Sequence, residues 1–201
     1  WIRGELGDEK QREMTKKVKY LFIIGDVVDG VGIYPGQEND LEIIDIYEQY
    51  KACAELLKQI PEHIAIIICP GNHDAMRLSE PQLPIHEDIA APLYQLKNVS
   101  MVSNPAWVTV GQAAGFPGIT VLLYHGYSFD YYIANIDEIR NNGGYDRADL
   151  VMKFLLQRRH LAPTHASCLY IPYPDNDPLV ISKIPDVFAT GHLHKTSVSQ
   201  Y

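Results

Sequence analysis

The stretch YLFIIGDVVDG, residues 20–30, constrains this chain more than any other. Leu21, Phe22, Ile23 and Ile24 make an unbroken apolar run of the kind that suits a strand covered on both faces, in the centre of a sheet. Gly25 then lets the chain turn sharply, and Asp26 and Asp29 follow three positions apart. The carboxyl ends of strands are where open α/β sheets bind their ligands. Three later stretches share this build: Gly71-Asn72-His73-Asp74, Tyr124-His125-Gly126 and Gly191-His192-Leu193-His194 each follow an apolar segment.

The chain between these stretches reads as α/β. Ile46, Tyr50, Cys53, Leu57 and Ile60 step by four and three, which predicts an amphipathic helix closed before Pro61, with Asn39 or Asp40 as its cap. Residues 64–69, IAIIIC, predict a second buried strand, so residues 20–69 form a parallel strand–helix–strand unit with a right-handed crossover. Residues 81–84 read as a loop and 87–97 as a short helix carrying Pro92. Strands are expected at 99–102, 107–110 and 119–124, where the chain shifts towards antiparallel pairing. Residues 146–161 predict a helix with Arg158 and Arg159 in its last turn, ended by Pro163. The proline-rich 171–178 is a surface loop, and 187–190 a short strand that delivers Gly191-His192-Leu193-His194. Residues 8–19 are charged and suit an exposed helix end or loop, while Trp1-Ile2 has the look of a helix cut short.

A length of 201 residues suits one well-cored domain over 1–201, read here as a fragment truncated at the N-terminus and at the C-terminus. Hydrophobic residues at 46% and charged residues at 21% are ordinary globular values and exclude a disordered chain. No apolar run approaches the roughly 18 residues that span a bilayer, so no membrane partner is expected. Three widely spaced cysteines, Cys53, Cys69 and Cys168, suit buried reduced thiols and a cytoplasmic location. A net charge of −8 counts against a broad basic face for nucleic acid, so metal ions or a partner subunit must supply the positive charge.

The residue types at the strand ends carry the chemistry. Asp, Asn and His without cysteine form a mixed oxygen and nitrogen donor set, which favours Mn, Fe or Zn over calcium or an iron–sulfur cluster. A carboxylate can bridge two ions roughly 3.5–4 Å apart, and such pairs act on both the attacking and leaving oxygens of a phosphodiester. Asp26 is the candidate bridge. Singly, each motif has a plainer reading: a Gly-Asp at a strand end is most often a turn, and Asn72-His73-Asp74 can be an Asx-turn. Together they favour Asn72 as a ligand, His73 as an acid and Asp74 as the group that orients it, with Asp29 behind the ligands. His63, His86, His160 and His165 fit no such pattern and read as structural, His160 in the last turn of a helix.

The order GDVVD, GNHD, HG and GHLH resembles the calcineurin-like metallophosphoesterase superfamily. The longer strings GDVVDGVGIYPGQ, PGNHDAMR, SNPAW and RRHLAPT are similar to the small subunits of archaeal family-D DNA polymerases. The resemblance implies a four-layer α-β-β-α fold, a β-sandwich flanked by helices, with a dinuclear site for divalent ions, Mn²⁺ foremost. It also implies 3′–5′ exonuclease proofreading at frayed DNA 3′ ends beside a large catalytic polymerase subunit. Asp26 would bridge both ions, Asn72, His125 and His192 would complete one site, and His194 would bind the other. His73 would act on the leaving 3′ oxygen, with Asp74 holding its ring. The superfamily's opening Asp-x-His tripeptide does not occur between Trp1 and Asp26, so its strand is missing from this chain and weak occupancy is expected at the ion that His194 binds.

Two other readings compete: a non-catalytic scaffold subunit, and a metallophosphoesterase for small phosphomonoesters or cyclic nucleotides. Tyr127, Phe129, Tyr131, Tyr132, Lys153, Arg158 and Arg159 lie between His125 and His192, and aromatics can stack unpaired bases. Tyr127 and Phe129, closest to His125, are the candidate substrate contacts; the others suit a core and a helix end better.

Overall fold

The computed structural model describes residues 1–201 and is a mixed α/β structure organised as two compact units. The first comprises residues 1–76 and 84–102, the second 77–83 and 103–201. No helix is long and apolar enough to cross a membrane.

The first unit holds three parallel strands, β1 (Tyr20–Ile24), β2 (Ala65–Cys69) and β3 (Val99–Met101), in the order β1-β2-β3. The apolar run of β1, predicted to be central, lies at an end of the sheet, and β2 takes the centre instead. The β1 side chains are half-buried or exposed, whereas Ile66–Cys69 of β2 are buried. An apolar run reports how well side chains are covered; it carries no record of which strand pairs on both edges. Register sets the core: Leu21 lies beside Ile66 and Ile23 beside Ile68, and all four join one apolar cluster. Helices α2 (Ile46–Leu57) and α3 (Glu87–Tyr94) cover it, contributing Tyr50, Ala54, Ala90 and Leu93. Each large side chain so buried stabilises the unit by about 1.5–3 kcal/mol.

Helix α2 has the predicted apolar face, yet its cap is Asp45, whose carboxylate accepts from the amides of Tyr47 and Glu48. Neither Asn39 nor Asp40 serves, because Gln37–Asn39 form a separate short 3₁₀ turn. α3 is bent at Ala90, two residues before Pro92, which has no N–H to close that turn. Its cap is His86, whose ring accepts from Asp88 N. The charged segment forms α1 (Glu9–Thr15), opened by a reciprocal Asp8–Gln11 capping box, and Trp1-Ile2 lie in a turn instead of a helix.

The second unit holds β4 (Ala106–Val110), β5 (Ile119–Tyr124) and β6 (Val187–Thr190) in the order β4-β5-β6. Only β4 and β5 are antiparallel; β6 returns parallel to β5, and β3, grouped with them in the sequence reading, is parallel to β2. Trp107, Leu122 and Phe188 stand side by side in register and meet helices α4 (Phe129–Asn135), α5 (Asp137–Asn141) and α6 (Ala148–Arg158). α6 ends where Arg159 enters the left-handed region at φ 55°, well before Pro163. His160 thus lies outside the helix, its ring joined to Asp177 Oδ2 at 2.9 Å and accepting from Ala162 N. The three cysteines are free, and burial raises the Cys53 thiol to about 11 and Cys69 to about 12.

Candidate functional site

In the first unit, parallel pairing delivers the first two motifs to one place. Ile24 and Cys69 are the last register partners of β1 and β2, so Gly25-Asp26 and Pro70–Asp74 leave the same end of adjacent strands. Asp26 sits in the left-handed region at φ 53°, a conformation that costs a non-glycine residue of order 1 kcal/mol and persists where surrounding bonds fix it. Those bonds are present. Asp26 N donates to Asp74 Oδ2 at 2.9 Å, and Asp26 Oδ1 accepts from His73 N at 2.9 Å. Asp74 Oδ2 also accepts from Gly71 N at 2.8 Å, and its Oδ1 from the Tyr50 hydroxyl at 3.0 Å.

Asp74 therefore does not hold the His73 ring, contrary to expectation. Both its oxygens are committed to the loops and to Tyr50, and the His73 ring is held elsewhere: Nδ1 lies 2.9 Å from the main-chain carbonyl of Asp29. A carbonyl only accepts, so Nδ1 carries the proton and Nε2 is the nitrogen presented for chemistry. Asp29 contributes its backbone while its side chain is exposed. Gly30 has to be glycine here, at φ 76° and with the His73 carbonyl 2.3 Å from where a Cβ would stand. Burial pushes the Asp74 carboxyl up to about 6, against the lowering effect of its bonds from Gly71 and Tyr50.

In the second unit the same logic joins the other two motifs. Tyr124 is the register partner of Thr190, so His125 and Gly191-His192 emerge together, with Gly191 N donating to the His125 carbonyl at 3.0 Å. His125 is buried, and its N–H donates to Asn104 Oδ1 at 2.8 Å. Asn104 is fully buried and donates in turn to Gln82 Oε1 at 2.7 Å. The rings of His125 and His192 stand edge to face, 5.2 Å apart. His192 Nε2 lies 2.8 Å from Asp130 Oδ2, and that bond holds the Asp130 carboxyl below its ordinary range. An imidazole backed by a carboxylate in this way keeps its other nitrogen, here Nδ1, as the lone-pair donor. His194 follows in the left-handed region at φ 52°, with its side chain exposed.

Tyr127 packs its ring against His192 at 5.9 Å, whereas Phe129 is fully buried against Tyr124 in the core and cannot stack a base. Tyr50, Asn104, Gln82 and Asp130 escaped the sequence reading. Tyr50 and Asp130 lie on helix faces with no motif around them, and Asn104 had only its place in SNPAW to mark it. The donor types present, carboxylate and amide in the first unit and carboxylate-backed imidazole in the second, are of the kind that suits a divalent transition ion.

Comparison with known proteins places the chain in a family. Residues 11–199 match the family of DNA polymerase alpha/epsilon B subunits. The DNA polymerase II small subunit of Methanothermobacter thermautotrophicus is 42% identical over 201 residues, all of this chain and 40% of that protein. The Archaeoglobus fulgidus protein of the same name is 44% identical over the whole chain and 39% of its own length. For that of Pyrococcus horikoshii the figures are 40% and 31%, so the chain spans two fifths or less of these relatives. On the extent of the match, the chain belongs to the family of DNA polymerase alpha/epsilon B subunits.

Proposed function

We propose that this chain is the catalytic portion of a 3′–5′ exonuclease that proofreads for a DNA polymerase, hydrolysing phosphodiester bonds at DNA 3′ ends with divalent metal ions. The reading takes residues 1–201 as one metallophosphoesterase domain of four α-β-β-α layers. Its partners are a large catalytic polymerase subunit and the frayed DNA end. The observation that carries it is the carboxylate-backed His192 beside His125, because a scaffold has no need of an imidazole with its tautomer set for ligation.

Asp26, Asn72, His125, His192 and His194 are the proposed ligands, and Mn²⁺ is the favoured ion, with Fe or Zn as the other candidates. Bound ions supply Lewis-acid activation of the phosphodiester and of the attacking water. The chain's own residues do the rest. Asp26 enters the site with its carboxylate fixed by the His73 amide. His73, anchored through Nδ1, presents Nε2 to the leaving 3′ oxygen as the atom through which a proton passes. Tyr127 is the proposed contact for the terminal base, backed by the His192 ring.

The test uses the full-length small subunit with its polymerase partner, Mn²⁺ and a primer carrying a mismatched 3′ end. Degradation of that end, lost in Asp26→Ala and His73→Ala, is the expected result. Preference for a small phosphomonoester would replace this reading with a general phosphoesterase. A protein that binds no metal and cuts no DNA would instead be the scaffold subunit that the names of its relatives equally allow.

A further inference from the structure

Tyr50 enters the core of the first unit from α2 and is fully buried. Its hydroxyl donates to Asp74 Oδ1 and accepts from Ala75 N, both at 3.0 Å. The second oxygen of Asp74 accepts from Asp26 N at 2.9 Å and from Gly71 N at 2.8 Å. A buried hydroxyl and a buried carboxyl are costly unless bonded, and a phenylalanine would fill the same volume without that cost. Yet every one of these bonds ends on the loop after β1 or the loop after β2. One carboxylate oxygen receives an amide from each, so the two loops separate only if Asp74 lets go.

We propose that Tyr50 and Asp74 form a brace that fixes the loop of Asp26 against the loop of Asn72 and His73. Tyr50 is thereby a positioning residue for the metal ligands. This rests on the metal-centre reading above. The helix supplies the rigidity: Tyr50 is anchored by its neighbours in α2, and through Asp74 it extends that anchorage to two loops that also meet at His73 N–Asp26 Oδ1 and His73 Nδ1–Asp29 O. Where a residue supports a ligand without touching the metal, its loss commonly weakens metal binding by about 10–100-fold.

The experiment compares wild-type and Tyr50→Phe full-length protein by calorimetric Mn²⁺ titration and by amide hydrogen exchange. The expected result is about 10–100-fold weaker Mn²⁺ binding, with faster exchange confined to the segments around Asp26 and Gly71. An unchanged Mn²⁺ affinity in Tyr50→Phe overturns the brace, as does weaker binding accompanied by faster exchange throughout α2, β5 and α6, which is general loosening. A wild-type protein that binds no Mn²⁺ overturns the metal reading and the brace together, whereas wild-type binding with an indifferent variant removes the brace alone. If Tyr50→Phe fails to fold, Asp74→Asn carries the same expectation, since an amide has one acceptor oxygen and cannot accept both from the two main-chain N–H groups and from the Tyr50 hydroxyl.

Discussion

His73 Nδ1 meets the main-chain carbonyl of Asp29 at 2.9 Å, so the ring of the proposed acid is set by backbone and not by the neighbouring carboxylate. The side chain of Asp29 is then dispensable. Asp29→Ala should leave Mn²⁺-dependent degradation of a DNA 3′ end within about twofold of wild type, as for other exposed substitutions. His73→Ala should lower it by about 10²–10⁴-fold. Comparable losses in both would move the anchoring role to the Asp29 carboxylate.

Asp130 should matter although it touches no proposed substrate. Its bond to His192 Nε2 fixes the ring tautomer, so Asp130→Ala should weaken Mn²⁺ binding by about 10–100-fold with little change in thermal stability. A Mn²⁺ isotherm identical to wild type would argue against His192 as a ligand.

Glu80 makes stability depend on pH. It is buried, with Oε2 accepting from the Tyr124 hydroxyl at 3.1 Å and Oε1 without a partner. Burial pushes its carboxyl up to about 7 from 4.5, against lowering bonds from Cys168 and Tyr124. The folded state therefore holds a proton that the unfolded chain releases, and the stability this confers is complete below about pH 4.5 and falls as pH rises towards about 7. Glu80→Gln, which imitates the protonated acid, should match wild type near the acid end of this window. At about pH 8 it should be the more stable by on the order of 2–3 kcal/mol. Urea denaturation across the range decides it, and parallel pH dependence in both proteins would contradict the assignment.

Asn104 holds His125 through a buried side chain. Asn104→Ala leaves the His125 N–H and Gln82 Oε1 without this partner, and should cost about 2–4 kcal/mol in chemical denaturation. A loss below about 0.5 kcal/mol, typical of exposed positions, would show that water replaces it.

Phe129 and Tyr127 should separate cleanly. Phe129→Ala empties a core position and should cost about 3–5 kcal/mol of stability. Tyr127→Ala, at a half-buried site, should leave stability nearly unchanged and weaken binding of a single-stranded 3′ end by about 1–3 kcal/mol, read by fluorescence anisotropy. Equal DNA affinity in Tyr127→Ala and wild type would remove Tyr127 from the substrate contacts.

The sequence by itself determined where strands end and which polar residues stand there. An apolar run, a glycine and then Asp or His is a local pattern, and β1, β2, β5 and β6 each run into such a motif within a residue or two of the expected boundary. It also contained, unread, the spacing of Phe129, Tyr132 and Ile133 that buries one face of α4; aromatic-rich, uncapped and only seven residues long, that segment lacks the usual signs of a helix. Partnership was left to the tertiary structure. Parallel register put His125 beside Gly191, Asp74 turned to the loops rather than to the ring next to it, and Asp130 came to His192 from 62 residues away in the chain. Hydrogen bonds are decided by which groups end up within about 3 Å and by what each can donate or accept. Across such separations in the chain, only the folded backbone sets those distances.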